Sequence, residues 1–354
     1  MNREIQRMRG VHLEELKYSQ LFKDIKDSDK EFDFNEDIIF SMGDKYKKLK
    51  WGIEKDPPKT SICHWGQRKM LMSEMLLFEK FIDNTDIDID ENGKMKVLYI
   101  GAASGIHTRM LDMLYFGLFK WILYDPNEFD SKLVKYSKIY DTDINFINQY
   151  FTVEKSKKFI DFTSGGIFIS DLRTETDDQS IMENLKLQND CAKIMLPSVS
   201  YLKFRMPFYK PAKVETYYSQ IVHQIWAKRN SGEMRTVVYR DEWQKSPKII
   251  DIRQYEESIH GFNLINRRTS YNKCKNSYCK CFDCWAEEAV IKQYLGKKAN
   301  GSDEKGESYV DIMKNFISEF LSSEGTRINH KEFYSYDRSK YNEKKFIEFL
   351  EELK

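Results

Sequence analysis

Short apolar runs alternate with segments of helical periodicity through the middle of the chain. The apolar run 96–100 precedes a small-residue loop, 101–105, which is followed by a helical segment and a second apolar run, 120–125. Parallel strands need a crossover between them, and that crossover is usually a helix, so this order predicts a βαβ unit. The runs are apolar on both faces, which is typical of parallel strands covered by helices on each side.

Further elements follow the same pattern. The sequence predicts strands over 144–151, 165–173, 198–208 and 233–240 and helices over 65–82 and 180–196. In the first helix, Met70, Leu71, Met75, Leu76, Phe78 and Ile82 have helical spacing, which predicts charged residues on the opposite face. The predicted fold is therefore α/β and Rossmann-like, with a central, mostly parallel sheet flanked by helices.

Three segments describe the predicted domain organisation. Residues 1–50 form a polar extension, residues 51–296 form the Rossmann-like domain, and residues 297–354 form a linker and a helical segment. The composition of 297–308 predicts that this part of the linker is flexible.

Composition excludes several classes of protein. With 354 residues, 41% of them hydrophobic, and only 16 Gly and 7 Pro, the chain is too apolar for a disordered protein and too poor in glycine for a fibrous one. The amino-terminal residues have no apolar core of a signal peptide, and no run approaches the roughly 18 apolar residues of a membrane span, so we expect an intracellular protein that does not enter membranes.

Charge is balanced overall but unevenly distributed. The 57 Lys and Arg against 56 Asp and Glu exclude a uniformly positive surface. Residues 45–69 carry eight bases and two acids, residues 200–229 six and one, and residues 258–281 five and none. These three stretches predict a local basic path for RNA.

The loop Gly101, Ala102, Ala103, Ser104, Gly105 lies between a predicted strand and a predicted helix. Such a loop is typical of a cofactor site at the carboxyl end of a sheet. The dinucleotide pattern G-x-G-x-x-G is absent, and the G-x-x-x-G spacing favours S-adenosylmethionine instead. Asp125 ends the next strand, where a carboxylate can accept hydrogen bonds from both ribose hydroxyls of the adenosine. The alternative is a tight turn in which Asp125 caps the following element.

Three ionisable residues lie among apolar neighbours at strand ends. They are Asp171 in ISDLR, Lys203 in YLKFRMPF and Glu233 in GEMRTVV. Burial of a lone charge costs several kcal/mol, so such residues usually pair with one another or take part in chemistry. Each of them alone is equally compatible with a surface position.

The chain resembles the poxvirus-type cap-specific mRNA (nucleoside-2′-O-)-methyltransferases, a family that also serves as the stimulatory subunit of poly(A) polymerase. The resemblance covers about residues 50–285. The matching segments are 66–78, 97–111, 121–125, 167–173, 200–208, 232–235 and 254–263. It implies an S-adenosylmethionine-dependent methyltransferase fold, capped mRNA as substrate, a poly(A) polymerase partner, and a place of action in the host cytoplasm or the virion.

The family carries a Lys-Asp-Lys-Glu tetrad, and the matching positions are Lys69, Asp171, Lys203 and Glu233. The resemblance implies that Lys203 takes the proton of the ribose 2′-hydroxyl, that Asp171 orients Lys203, and that Glu233 positions the ribose. A free lysine has a pKa of about 10.4, so burial and the second cation, Lys69, are expected to lower the pKa of Lys203.

The resemblance also implies cofactor contacts. These are Gln67, Gly101, Ala102, Ala103, Gly105, Asp125, Asn127, Phe151 and Asp171. Two positions depart from the family pattern, because Ser104 replaces a proline and Asn127 replaces an arginine. We expect these departures to affect the affinity for the cofactor more than the type of reaction.

A cap-binding pocket is implied by the same resemblance. A 7-methylguanine is a delocalised cation that stacks between aromatic rings while a carboxylate accepts its N–H groups. The matching residues are Phe208 and Glu256, with Trp51 as the second ring and Tyr46 as its alternative. Phe208 and Trp51 are also compatible with core packing. Arg205, Lys210 and Lys213 are candidates for transcript phosphates.

Cys274, Cys279, Cys281 and Cys284 crowd into one short segment. Four thiolates can bind tetrahedral zinc, but the spacing is not that of a paired knuckle, and free thiols are the favoured interpretation. Two alternatives to the cap methyltransferase stay open. One is a regulatory subunit of poly(A) polymerase without catalysis or with both roles, and the other is an RNA 2′-O-methyltransferase that needs no cap.

Overall fold

A computed structural model gives the coordinates of the protein. It describes residues 32–43, 45–46, 48–49, 66–83, 85–175, 177–208, 211–227, 231–268, 282–323 and 342–353. Within these ranges the chain divides into two compact units. One unit contains residues up to 72, residues 225–231 and residues from 256 onward, and the other contains residues 73–224 and 232–255.

The second unit is built on a seven-stranded sheet. Its strands are β1 (Met95–Ile100), β2 (Phe119–Tyr124), β3 (Ile144–Ile147), β4 (Ile167–Ser170), β5 (Val199–Phe204), β7 (Gln220–His223) and β8 (Met234–Tyr239). A separate two-stranded sheet pairs β6 (Lys213–Thr216) with β9 (Lys248–Asp251).

The strand order in the large sheet is β3-β2-β1-β4-β5-β8-β7. Strands β1 to β5 pair in parallel, and β8 pairs antiparallel with both β5 and β7, so β8 alone runs in the opposite direction within this sheet. This confirms the predicted Rossmann-like fold with a mostly parallel sheet. The central strands are buried along their length, as their apolar composition predicts. The sequence did not predict β6, β7 or β9.

Eight helices of at least nine residues lie in the described part of the chain. They are α1 (Gly66–Leu76), α2 (Ile106–Leu114), α3 (Ser131–Ile139), α4 (Asp178–Met195), α5 (Ile252–Leu264), α6 (Phe282–Leu295), α7 (Tyr309–Ser323) and α8 (Glu343–Glu352). Short helical turns cover Val153–Ser156, Lys157–Phe159, Ile160–Thr163, Arg240–Gln244, Asn266–Arg268 and Gly296–Asn300. No described helix is long and apolar enough to cross a membrane.

The prediction of an amphipathic helix over 65–82, with its charged residues on an exposed face, is wrong in its length and in the exposure of those residues. The α-helix ends at Leu76 and continues as a π-helical segment, Leu77–Phe81. Its charged residues Arg68, Lys69 and Glu74 are as buried as its apolar residues. Burial of charge is tolerated when partners are available, and Arg68 and Glu74 both have hydrogen-bonding partners within their own units.

The segment 297–308 contains a short helical turn and a hydrogen-bonded loop, and its predicted flexibility stays a prediction. After the short helix Gly296–Asn300, the Asp303 carboxylate accepts hydrogen bonds from the backbone N–H groups of Lys305 (3.0 Å) and Glu307 (2.8 Å). Asp and Ser side chains often close such turns locally.

Candidate active site

Parallel pairing brings three of the predicted site residues to one edge of the sheet. Ile100, the last residue of β1, is in register with Tyr124 at the end of β2 and with Ser170 at the end of β4. The next residue after each strand is therefore Gly101, Asp125 or Asp171. The carboxyl ends of neighbouring parallel strands form the usual ligand site of such folds.

The glycine loop is shaped by close approach of the backbone. Gly101 has φ +72°, and a Cβ there would lie 2.7 Å from the backbone carbon of Asp171. Gly105 has φ +77° immediately before α2, and a Cβ there would lie 2.7 Å from Leu133. Both positions combine a positive φ with a close contact, so only glycine fits them without rearrangement.

We expect Gly101→Ala to destabilise the protein by about 3–4 kcal/mol, because it adds a backbone clash to an unfavourable φ. Gly93→Ala is the matched control, since Gly93 has φ +78° but no atom within 4 Å of the added Cβ. The control is expected to cost about 1–2 kcal/mol. Chemical denaturation of both variants measures the difference, and equal losses would contradict the proposed close approach.

Asp125 connects the glycine loop to the turn after β2. Its Oδ2 accepts a hydrogen bond from the Ala103 N–H at 3.1 Å. Its Oδ1 accepts from the backbone N–H of Asn127 at 2.8 Å and from the Asn127 side-chain amide at 2.9 Å. A carboxylate has about four acceptor positions and three are used here, so Asp125 retains capacity for about one further donor, such as a ribose hydroxyl. Asn127 thus orients Asp125.

Two other predicted cofactor residues have clear positions. Phe151 packs in the core, edge to face with Tyr124 at 4.9 Å and stacked with Phe159 at 5.9 Å. Gln67 lies on α1 in the first unit and is half-buried. The cofactor roles of both residues stay predictions.

The ionic cluster predicted from strand ends is present in the second unit. Lys203 Nζ donates to Asp171 Oδ1 at 2.8 Å and lies 3.7 Å from Glu233 Oε2. Arg235, which the sequence analysis did not select, donates to the same Asp171 oxygen at 2.7 Å. Lys203 and Arg235 are paired in register between β5 and β8, so the reversed strand delivers the second cation.

Arg235 is buried, with 1% of its side chain exposed. Its Nε donates to Gln224 Oε1 at 2.7 Å and its NH1 to the Ser170 carbonyl at 3.0 Å. Burial alone would lower the pKa of the guanidinium, but Asp171 and Glu233 more than compensate and raise it. Arg235 is therefore a permanent cation. Arg235 is an ionisable residue inside the apolar run of GEMRTVV. The same signal identified Lys203 and could have identified Arg235.

Gln188 and Arg173 also contact this cluster or the strands that carry it. Gln188 on α4 donates to the Lys203 carbonyl at 2.7 Å and accepts from Ser170 Oγ at 3.0 Å. Arg173 NH2 donates to Glu233 Oε2 at 2.7 Å, although its own side chain is 45% exposed. The ends of β4 and β5 are thus fixed relative to each other next to Asp171 and Lys203.

A small pocket that is open to solvent lies beside Lys203. Its lining residues are Leu172, Arg173, Glu175, Ile181, Asn184, Leu185, Gln188, Lys203 and Arg205. Burial and the neighbouring Arg173 guanidinium lower the pKa of Arg205, although carboxylates nearby oppose them. Three cations against one carboxylate in the lining favour an anionic ligand.

The predicted cap residues fall in both units. Phe208 is half-buried, its N–H donates to Asp178 Oδ1 at 2.9 Å, and the Arg205 guanidinium lies 4.7 Å from the centre of its ring. Lys213 is exposed on β6. Glu256 is half-buried on α5 in the first unit. Lys69 lies on α1 in the same unit and is buried. The roles of Lys69 and Glu256 stay predictions.

Several predicted residues lie outside the described ranges. These are Trp51, Lys210, Cys274, Cys279 and Cys281. Tyr46, the alternative to Trp51, is buried in the first unit, stacked on Phe40 at 5.7 Å and edge to face with Phe262 at 5.3 Å. Cys284 is half-buried on α6. Among the described residues, no group of three or more His, Cys, Asp and Glu is arranged to hold a metal ion.

The arrangement places a lysine amine, oriented by a carboxylate, next to a small-residue cofactor loop and an electropositive pocket. The Gly101 backbone touches Asp171, so the loop and the ionic cluster form one site in the second unit. Such a site can bind a small cofactor on one side, bind an anion on the other, and move a proton at Lys203 Nζ between them.

Comparison with known proteins confirms the resemblance seen in the sequence. A family model described as "Poly A polymerase regulatory subunit" matches residues 30–318. The cap-specific mRNA (nucleoside-2′-O-)-methyltransferases of the Lausanne and Uriarra strains of myxoma virus are each 27% identical over 228 residues, covering 61% of this chain. The chain spans 64% of the length of these relatives.

Two further matches cover less of the chain. The cap-specific mRNA (nucleoside-2′-O-)-methyltransferase of fowlpox virus, strain NVSL, is 29% identical over 151 residues, covering 40% of this chain and 47% of the relative. The crystal structure of TrmN from Thermus thermophilus matches 48% of each chain with 13% identity and a TM-score of 0.29. The fold assignment rests on the strand order given above.

Proposed function

Because this chain belongs to the poly A polymerase regulatory subunit family, we propose that it is a methyltransferase that uses S-adenosylmethionine to methylate the ribose 2′-hydroxyl of the first transcribed nucleotide of capped mRNA. The observation that carries the proposal is the contact of Lys203 Nζ with Asp171 Oδ1, at a site whose other side is the Gly101 loop. Lys69 completes the proposed tetrad.

The residues of the site fit S-adenosylmethionine. A Cβ at Gly101 would meet the Asp171 backbone at 2.7 Å, so glycine is what lets the loop pass this close to Asp171, and Asp125 has about one acceptor position left at the end of β2. Gly101, Ala102, Ala103, Gly105 and Asp125 would hold the cofactor, with Asn127 orienting the carboxylate. When bound, the cofactor supplies an electrophilic methyl group.

Lys203 is the proposed acceptor of the 2′-hydroxyl proton as the oxygen attacks. Asp171 and Glu233 hold its Nζ in place, and the two carboxylates also attract the ammonium form. Arg235 offsets this effect by sharing Asp171 Oδ1. The protein's contribution is mainly alignment of the ribose oxygen, which alone can lower a barrier substantially.

The pocket beside Lys203 supports an RNA substrate. Arg173 and Arg205 line it and would contact transcript phosphates, while Phe208 and Glu256 are the proposed cap ligands. Arg205 already lies against the Phe208 ring, so phosphate binding and cap stacking would be adjacent. We propose the host cytoplasm or the virion as the place of action on the resemblance alone.

Methyl transfer from labelled S-adenosylmethionine to short RNAs tests this function. We expect transfer to m7G-capped RNA, no transfer to the uncapped RNA, and no transfer to capped RNA whose first nucleotide already carries a 2′-O-methyl group. Equal use of capped and uncapped RNA would favour the cap-independent enzyme instead.

A regulatory role toward poly(A) polymerase is the second candidate, and the description of the family favours it. The complete set Asp171, Lys203 and Glu233 argues against a purely non-catalytic role. Stimulation of a poly(A) polymerase by a preparation without methyl transfer would favour the regulatory role alone, and stimulation together with transfer would show both.

Asp125→Asn is expected to weaken S-adenosylmethionine binding about 10- to 100-fold, because it removes a charge that accepts hydrogen bonds. Isothermal titration calorimetry measures the dissociation constant. Asp130→Asn is the matched control, since Asp130 caps the next helix by accepting from the N–H groups of Lys132 and Leu133. Asparagine also caps helices well, so this control should bind normally. Unchanged affinity in Asp125→Asn would remove Asp125 from the cofactor site.

A further inference from the structure

Arg68, the neighbour of Lys69 on α1, is held by two carboxyl-terminal helices of the first unit. Its Nε donates to Glu287 Oε2 on α6 at 3.1 Å, and its NH2 pairs with Glu287 Oε1. Its NH1 donates to Ser318 Oγ on α7 at 2.8 Å. The guanidinium is thus bonded through all three of its nitrogens, and its residue is buried.

Glu287 holds a second segment as well. Its Oε2 accepts from the Trp226 indole N–H at 2.6 Å, and one turn earlier on α6 Asp283 Oδ1 accepts from the Trp226 backbone N–H at 2.9 Å. Trp226 has φ +60°, a left-handed conformation that costs a bulky residue energy and persists where its surroundings fix it. Trp226 lies seven residues before Glu233 in the chain.

These contacts constrain α1 in a way that a surface ion pair does not. A guanidinium bound in a fork has a fixed plane and direction, whereas a lysine ammonium is a point charge. Successive residues on an α-helix differ by about 100° around its axis, so fixing Arg68 also fixes the direction in which Lys69 leaves the helix. A buried pair of this kind contributes little net stability but strongly specifies geometry.

We propose that Arg68, Glu287 and Ser318 form a clamp that positions Lys69 for methyl transfer, so that α6 and α7 are part of the catalytic architecture although they supply none of the tetrad. Arg68 and Glu287 are positioning residues, and they act through Lys69. The proposal rests on the proposed function, since it assumes that Lys69 contributes to catalysis.

Glu287→Gln tests the clamp because it removes the charge that pairs with Arg68 while keeping the size of the side chain. We expect kcat for capped RNA to fall about 10- to 100-fold, because small misplacement of a catalytic group has effects of this size. The dissociation constant for S-adenosylmethionine is expected to change less than the rate of methyl transfer. Single-turnover transfer and calorimetric cofactor binding measure the two quantities separately.

Glu288→Gln is the matched control. Glu288 is the next residue on α6, is also buried, and also pairs with a cation of α7, Lys314, at 2.7 Å. Its described ion pairs are with Lys314 and Lys292. We expect Glu288→Gln to lower the unfolding midpoint comparably and to change kcat less than about twofold.

Two milder variants keep the test decisive if Glu287→Gln lowers the folded fraction. Ser318→Ala removes one hydrogen bond to Arg68, and Arg68→Lys keeps the charge but loses the fork. Both are expected to lower kcat in folded protein, with Arg68→Lys retaining more activity than Arg68→Met. A loss of kcat that follows only the folded fraction across all these variants would overturn the proposal.

A double-mutant cycle separates positioning from a general structural effect. In a Lys69→Ala background, Glu287→Gln is expected to lower kcat by less than about twofold, because there is no Lys69 left to misplace. An undiminished effect in that background would overturn the clamp as a device that acts through Lys69. If the wild-type chain transfers no methyl group to capped RNA, the proposed function fails first, and the cycle then has no signal to measure.

Discussion

Replacing Lys203 with methionine is expected to lower kcat for capped RNA about 10²- to 10⁴-fold, the range for loss of a group that takes a proton in the transition state. Lys203 Nζ lies 2.8 Å from Asp171 Oδ1 and 3.7 Å from Glu233 Oε2, so both acidic members of the tetrad in the second unit hold it in place. Methionine keeps much of the side-chain length and removes the amine. Single-turnover transfer from labelled S-adenosylmethionine measures the loss.

The same variant should leave the protein folded. Asp171 keeps Arg235 as a partner at 2.7 Å, so no carboxylate is left without a cation, and we expect the free energy of unfolding to change by less than about 1 kcal/mol. Lys193→Met is the control, because Lys193 is an exposed lysine of α4. A rate within threefold of wild type for Lys203→Met would exclude Lys203 as the proton acceptor.

Arg235→Met is expected to impair both stability and activity. The guanidinium is buried and serves Asp171, Ser170 and Gln224, so its removal leaves acceptors unsatisfied in the interior. Asp171 keeps Lys203 as a partner, but the buried Ser170 carbonyl and Gln224 Oε1 each lose a donor, which costs about 1–3 kcal/mol apiece and is a large part of the stability of an ordinary domain. Chemical denaturation measures this loss, and single-turnover transfer in the folded fraction measures the activity.

Arg240→Met is the matched control for Arg235→Met. Arg240 follows β8 directly, is half-buried, and donates to the Leu196 carbonyl at 3.1 Å and to Ser198 Oγ at 3.2 Å, without an acidic partner among these contacts. We expect about 1–3 kcal/mol of destabilisation and wild-type kcat. A stable, fully active Arg235→Met protein would show that Lys203 alone orients Asp171.

The strands that carry the site could be predicted from the sequence because burial on both faces leaves an unbroken apolar run. Strands β1, β2, β4, β5 and β8 were all predicted, with ends within a few residues of those observed. Strand β7, only four residues long, gives a weaker periodic signal, and β6 and β9 are half exposed. Short strands of this kind depend on their pairing partner more than on their own composition.

Arg235 and Arg68 show why the rest of the site was not predicted. Each arginine is adjacent or nearly adjacent to a predicted tetrad residue, and the chain around it gives no indication of its partner. Asp171 lies 64 residues from Arg235, and Glu287 lies 219 residues from Arg68. Strand order and helix packing determine which residues so distant in sequence form ion pairs.

The alternation of strands and helices, the glycine loop and the ionisable residues in apolar runs can all be recognised in the sequence, because each is a local pattern of side-chain type. Which charges meet depends on how the strands and helices pack. Parallel register brings Gly101, Asp125 and Asp171 to one edge, and reversal of β8 sets Arg235 opposite Lys203. The physical reason is that burial of a charge requires a partner, and long-range packing alone supplies it.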